Sequence, residues 1–279
     1  MSTEVRTQRR TVRDLAAAKG GQPLVCLTAY SAPVAALLDR HCDVLLVGDS
    51  VGMVVHGLPT TLGVTLEMMI LHGQAVMRGA SSALVVVDLP FGSYESGPEA
   101  AFLSASRVMK ETGCQAVKIE SGAYAAPTIE FLVARGVPVM GHVGLRPQAV
   151  HADGGFRARG RTRAERARVL AEAEAADRAG CFAIVVEGCA EDLAREVSSL
   201  VSCPTIGIGA SSACDGQILV IDDMLGMFEQ TPRFVRRYAD LRGELDRAAA
   251  AYAADVRARR FPGEKETYSM KRPQCAPPS

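Results

Sequence analysis

Six ionisable side chains in this 279-residue sequence follow or close short apolar runs. Asp49 comes just after residues 44–47, within Gly48-Asp49-Ser50, and Asp88 closes residues 83–88. Lys118 and Glu120 sit at the end of residues 116–119, His142 closes residues 137–142, and Glu187 closes residues 183–187. Singly, each has an ordinary explanation. An Asp after a strand forms turns or caps helices, a Lys or Glu is a solvated or paired charge, and a His is a hydrogen-bonded, half-buried ring. Together they are costly to bury unless they pair or hold a cation. Carboxylate oxygens, with no Cys/His spacing suited to structural zinc, point to Mg²⁺, which keeps water or substrate in its remaining positions. Mn²⁺ or Co²⁺ could substitute. His56 and His72 are alternative ligands, although His72 reads better as a packing residue on the helix after the second strand.

Positioning these groups falls to eight apolar runs, at residues 24–28, 44–47, 83–88, 116–119, 137–142, 183–187, 205–209 and 218–221. Each is short and nearly free of polar residues, as strands buried on both faces of a parallel sheet are. Helical stretches separate them. Ser96-Gly97-Pro98-Glu99 and Thr162-Arg163-Ala164-Glu165 read as capping boxes, and Gly79, Gly113, Gly136 and Gly180 as helix ends. Eight strand–helix units predict a single-domain α/β fold, a (β/α)8 TIM barrel, whose strand C-termini share one rim where such barrels place their chemistry. A doubly wound open sheet is the competitor, but no Gly-x-Gly-x-x-Gly follows the first strand. The predicted organisation is an arm at residues 1–10, the barrel with its C-terminal helix at 11–261, and an extended tail at 262–279. A short helix over 11–19 leads into the barrel, and a helix over 241–259 follows it.

Composition narrows the partners. The 48% hydrophobic content suffices for a large core, and 31 basic residues cancel 31 acidic ones, which suggests neither nucleic acid nor an anionic membrane. Nowhere do roughly 18 consecutive apolar residues offer a membrane span. The eight cysteines form no Cys-x-x-Cys pair, several lie in apolar runs, and residues 1–19 lack a secretory leader, so a cytoplasmic setting is expected. The glycine-rich basic stretch 154–161 suits a phosphate site, a mobile rim loop or a subunit contact. Charges over 246–260 suit a solvated face or an interface, and Met68-Met69 suits core filling.

Several runs resemble the ketopantoate hydroxymethyltransferase family. They are Leu27-Thr28-Ala29-Tyr30, Leu46-Val47-Gly48-Asp49-Ser50-Val51-Gly52-Met53, Asp88-Leu89-Pro90-Phe91 and Val117-Lys118-Ile119-Glu120. Gly141-His142-Val143-Gly144-Leu145-Arg146-Pro147-Gln148, and Gly207-Ile208-Gly209-Ala210 with Asp215-Gly216-Gln217, continue the match in collinear order over roughly residues 11–265. The resemblance implies a Mg²⁺-dependent barrel that transfers a one-carbon unit from 5,10-methylenetetrahydrofolate to 3-methyl-2-oxobutanoate. The product would be ketopantoate, on the route to pantothenate and coenzyme A. It implies Asp49 and Asp88 as metal ligands, with Glu120 on the metal or its waters. Asp49, Ser50, Asp88, Lys118 and His142 would contact the oxo acid, and Glu187 would be the proton acceptor. It also implies a homo-oligomer, commonly a decamer.

Three positions depart from the family pattern. Ser211 replaces a glycine, Asp222 a histidine and Arg159 a glutamine, and none is a proposed metal or base position. The nearest alternative is a Mg²⁺-dependent C–C lyase acting on another 2-oxo acid. No Lys-Lys-Cys-Gly-His-type loop of such lyases is present. A catalytically dead barrel would be expected to lose the carboxylates, yet all four are retained.

Overall fold

The computed structural model describes residues 9–122 and 124–269. Eight parallel strands close into one barrel in sequence order. They are β1 Leu24–Thr28, β2 Val44–Val47, β3 Leu84–Asp88, β4 Ala116–Lys118, β5 Val139–Gly144, β6 Ala183–Glu187, β7 Thr205–Ile208 and β8 Gly216–Leu219. The helices are α1 Val12–Ala16, α2 Ala32–Leu38, α3 Val51–Val54, α4 Leu66–Gly79, α5 Pro98–Thr112, α6 Ala126–Val133, α7 Arg163–Arg178, α8 Glu191–Leu200, α9 Ile221–Met224 and α10 Leu241–Arg257.

Every strand run expected from the sequence is found, with shifts at the ends. β5 continues to Gly144, so His142 lies inside the strand rather than at its close. β8 starts at Gly216 because its register on β1 pairs Leu24 with Gly216, and Ile221 begins α9 instead. The cap at Ser96 is not made. Gly97 is the N-cap residue of α5, with φ of 142° and no side-chain bond. At α7, Thr162 does accept from the Glu165 N–H, but the Glu165 carboxylate turns to the Arg161 N–H rather than back to Thr162. A complete capping box forms at α1, between Thr11 and Asp14. Gly113, Gly136 and Gly180 take the left-handed conformation, while Gly79 is simply the last residue of α4.

Two apolar cores share the strands by alternation. Val44, Leu46, Leu84, Val86, Ala116, Met140, Ala183 and Val185 fill the barrel interior. Leu45, Val47, Val85, Val87, Val117, Val139, Ile184 and Val186 face the surrounding helices. Leu15 of α1 joins the interior cluster fully buried, closing the base of the barrel. Burying it contributes about 1.5–3 kcal/mol. Of the N-terminal arm, Arg9 and Arg10 are described and tied down. The Arg9 guanidinium donates to the Ala83 carbonyl at 3.1 Å, and the Arg10 N–H to Ser82 O at 2.8 Å. The rest of the arm, and the tail beyond residue 269, lie outside the described residues.

Candidate active site

The alternation that fills the barrel also sets the direction of the polar residues. Asp88 continues the inward series Leu84, Val86; Lys118 follows Ala116, His142 follows Met140, and Glu187 follows Ala183 and Val185. They form the uppermost inward layer, at the C-terminal end of the strands. Asp49, Ser50, Asp88, Lys118, Glu120, His142 and Glu187 all line one open cavity of about 1380 Å³. β6, which carries Glu187, stands opposite β2, which carries Asp49, because the ring is closed in sequence order.

The cavity wall under β2, β3 and β4 concentrates charge. Asp49, Asp88, Lys118 and Glu120 are all buried. Lys118 Nζ lies 2.8 Å from Asp88 Oδ1, and the Asp49 N–H donates to Asp88 Oδ2 at 3.1 Å. Burial, and then the Asp88 carboxylate, pushes the Asp49 carboxyl upward. Burial, and then Asp49, does the same to Glu120. Burial alone would lower Lys118, but Asp88 and Asp49 outweigh it and hold the ammonium raised. Three carboxyl groups therefore crowd one ammonium in a buried wall.

That imbalance fits a hard divalent cation. The oxygens available as donors in this wall are those of Asp49 and Asp88, with Glu120 beside them. Among the described residues no group of three His, Cys, Asp or Glu side chains closes around a metal position. A pair of carboxylates that leaves room for water or substrate is how Mg²⁺ is commonly held.

His142 is buried, and burial lowers its basicity against the opposing pull of Glu187. Its Nε2 lies 3.3 Å from Glu187 Oε2, and its Nδ1 lies 4.0 Å from Glu120 Oε1. Ser50 shares a hydrogen bond of 2.8 Å with the Tyr30 hydroxyl. His72 lies on α4 as expected but is more than a packing residue. Its Nδ1 donates to Tyr30 O at 2.7 Å, and its Nε2 meets His56 Nε2 at 2.9 Å. Neither ring lines the cavity that holds the carboxylates.

Two buried residues at the site escaped sequence reasoning as functional groups. Gln148 donates to Asp49 Oδ2 at 2.8 Å, and the Tyr94 hydroxyl donates to Gln148 Oε1 at 2.6 Å. Both are neutral, with Tyr94 in the loop after β3 and Gln148 on a short 3₁₀ turn at Pro147–Ala149, so no strand-end rule points to them. Gln148 does lie within one of the quoted motif runs.

Outside the charged wall the lining changes. Phe156 and Phe234 line the cavity while remaining 49% and 41% exposed, and Phe228, Arg161 and Arg233 line it with them. Phe234 lies against Gly209, where φ is 58° and a Cβ would come within 2.6 Å of the ring. A side chain at 209 would displace Phe234 as well as strain the backbone. The Arg161 and Arg233 guanidiniums have no salt-bridge partner among the described residues. Arg159 is different: it is buried, lies 2.5 Å from Asp153, and exchanges backbone bonds with Gly188 and Ala190. It stitches the basic loop to the end of β6 and is not a free anion site. Ser211 is also buried, donating to Glu191 Oε1 at 2.8 Å, and Asp222 sits half-buried on α9 with its carboxyl pushed up by burial.

Comparison with known proteins fits this architecture. In solved structures, a phosphonopyruvate hydrolase in complex with oxalate and Mg²⁺ aligns with a TM-score of 0.58 at 13% identity, covering 92% of this chain and 93% of that one. 2,3-Dimethylmalate lyase aligns with a TM-score of 0.56 at 16% identity, over 92% and 91%. These likenesses show the fold alone. Sequence similarity goes much further. The 3-methyl-2-oxobutanoate hydroxymethyltransferase of Hyphomonas neptunium is 71% identical over 98% of this chain and 99% of its own length. The enzyme of the same name from Caulobacter vibrioides is 68% identical over 97% and 98%. With the family model for ketopantoate hydroxymethyltransferase matching residues 9–264, the chain belongs to the ketopantoate hydroxymethyltransferase family.

Proposed function

We propose that this enzyme transfers a hydroxymethyl group from 5,10-methylenetetrahydrofolate to 3-methyl-2-oxobutanoate, forming 2-dehydropantoate (ketopantoate) for pantothenate and coenzyme A synthesis. The observation that carries this reading is the division of the cavity. Two buried carboxylates and an ammonium line one wall, and Glu187 stands opposite on β6 with His142 between it and Glu120. Asp49 and Asp88 would hold Mg²⁺, with Glu120 on the metal or its waters. When bound, Mg²⁺ supplies Lewis-acid stabilisation of negative charge on the keto oxygen.

The chain's own residues do the rest. Asp49, Ser50, Asp88, Lys118 and His142 surround the oxo acid, and the Lys118 ammonium adds positive charge where the enolate gains negative charge. The Glu187 carboxylate takes the proton from C3, and the C–H pair becomes the enolate double bond. C3 then attacks the one-carbon unit. Over the whole reaction one C–C bond forms, the C–N bonds of the donor break, and water supplies the new hydroxyl as tetrahydrofolate leaves. No covalent enzyme intermediate is needed.

The size of the cavity supports a large second substrate. Its volume exceeds the roughly 300–1,000 Å³ of ordinary small-molecule pockets, far more than a five-carbon acid fills. Phe156, Phe228 and Phe234 suit a flat aromatic body, and unpaired Arg161 and Arg233 suit the carboxylates of a folate tail. The seven described cysteines are free and buried, which suits the reducing cytoplasm. Among the described residues no helix is long and apolar enough to cross a membrane.

The test uses proton exchange. With Mg²⁺ in D₂O and no folate, the enzyme should exchange the C3 proton of 3-methyl-2-oxobutanoate, and adding methylenetetrahydrofolate should yield ketopantoate. Absence of exchange by NMR, both alone and with a folate analogue, would sink the enolate mechanism.

A further inference from the structure

Gln148 carries no charge and follows no strand directly, yet it binds two of the three carboxylates in the charged wall. Its amide orientation is fixed by its partners. Nε2 lies 3.0 Å from Leu89 O, and a carbonyl oxygen only accepts, so the amino end must point there. The other amide hydrogen goes to Asp49 Oδ2 at 2.8 Å. Oε1 therefore faces the Tyr94 hydroxyl, which donates at 2.6 Å. The Tyr94 oxygen in turn accepts the Glu120 backbone N–H at 3.2 Å. Finally, the Gln148 backbone N–H donates to Glu120 Oε1 at 3.1 Å. Both amide hydrogens are spent, and Gln148 and Tyr94 are both buried.

These bonds cross four neighbouring strand ends. Asp49 follows β2, Leu89 follows β3, Glu120 follows β4, and Gln148 follows β5. The pairs of β2 end at Val47, so the strand ladder does not fix the direction of the Asp49 side chain, whereas the Ile119 and Ser121 N–H groups still bond to β5 on either side of Glu120. We propose that Gln148, braced by Tyr94, is a positioning residue for the reaction. It sets the direction of the Asp49 carboxylate and its separation from Glu120. This assignment rests on the reading of Asp49 as a Mg²⁺-holding residue. The chemistry also explains the residue type. A glutamate at 148 would turn acceptor oxygens toward Asp49 and Leu89 O, and an asparagine would be one methylene short of the span.

The experiment compares full-length wild type, Gln148→Met, Tyr94→Phe and the double variant. Calorimetric titration with Mg²⁺ is read beside the exchange kinetics of the oxo acid, with folding checked by thermal melting. Gln148→Met keeps the volume and removes the side-chain bonds, and should weaken Mg²⁺ binding about tenfold or more. Tyr94→Phe should weaken it less, and the double variant should lose less than the sum of the two single losses, because the Tyr94 hydroxyl acts in part through Gln148. Gln148→Met that folds with wild-type Mg²⁺ affinity overturns the proposal, as do fully additive losses. If Gln148→Met does not fold, Tyr94→Phe decides alone, and wild-type affinity there overturns it. Wild type that binds no Mg²⁺ overturns the functional reading and the strut together, whereas normal wild type with unchanged variants overturns only the strut.

Discussion

At Glu187 a carboxylate reaches the cavity with His142 Nε2, 3.3 Å away, as its one close polar side-chain contact among the described residues. A base needs this freedom, while a structural carboxylate is usually tied from several sides. Lys118 and Asp88 show the contrast, locked to each other in a buried ion pair. Removing either partner would strand a buried charge at a cost of about 3–5 kcal/mol, so truncation there mixes folding with chemistry. Glu187→Gln avoids that confusion because it keeps the shape and a polar contact to His142. The variant should bind Mg²⁺ and 3-methyl-2-oxobutanoate within a few-fold of wild type while proton exchange falls by about 10²–10⁴. Loss of binding along with exchange, measured by calorimetry and NMR, would make Glu187 structural.

Elements are held at the opposite end of the barrel by a second set of aspartates. Asp39, at the end of α2, accepts the backbone N–H groups of Ser81, Ser82 and Ala83 just before β3. Asp177 does the same for Ser202 and Cys203 before β7, and Asp215 for Gly20 and Thr205. These donors would otherwise be left unpaired where a strand begins. Burial alone would raise the Asp39 carboxyl, but the N–H groups of Ala83, Ser82 and Ser81 and the Ser81 hydroxyl outweigh it and hold the group below its ordinary value. Asp177 and Asp215 are lowered in the same way. A lowered carboxyl contributes stability that is complete above the unfolded value, about 3.9, and is lost as pH falls through the folded value. Asp39→Asn should therefore cost about 1.5–3 kcal/mol at neutral pH and flatten the acid-side loss of stability below roughly pH 4. Urea unfolding across pH checks this, and an unchanged acid limb would assign the loss to another group.

The whole molecule leaves one element without a place in the barrel. α10 buries none of its residues, and Leu245, Tyr252 and Val256 on it, with Phe261 and Tyr268 beyond it, are exposed. An apolar set on a helix that touches little of its own chain is suited to a second copy of that chain. Sedimentation equilibrium should therefore give a multiple of the 29.5 kDa chain mass. A 29.5 kDa particle at micromolar concentration would overturn the homo-oligomer that the resemblance implies.

What the sequence determined by itself was the number and kind of elements and the identity of the charged residues. Eight apolar runs on the scale of single strands leave few architectures besides a closed parallel barrel, and an ionisable residue at the end of such a run stands out. Facing was hidden in the same runs. Because both faces of these strands are buried, Val85 and Val86 look alike in sequence although one packs on helices and the other fills the barrel. Only the closed sheet decided that Asp88, Lys118, His142 and Glu187 share the inward parity, and that β6 stands opposite β2. The Gln148–Tyr94 strut was beyond sequence reasoning for a related reason. Neutral side chains acquire a role through the partners that long-range folding brings them, and here those partners lie 26 to 99 residues away along the chain.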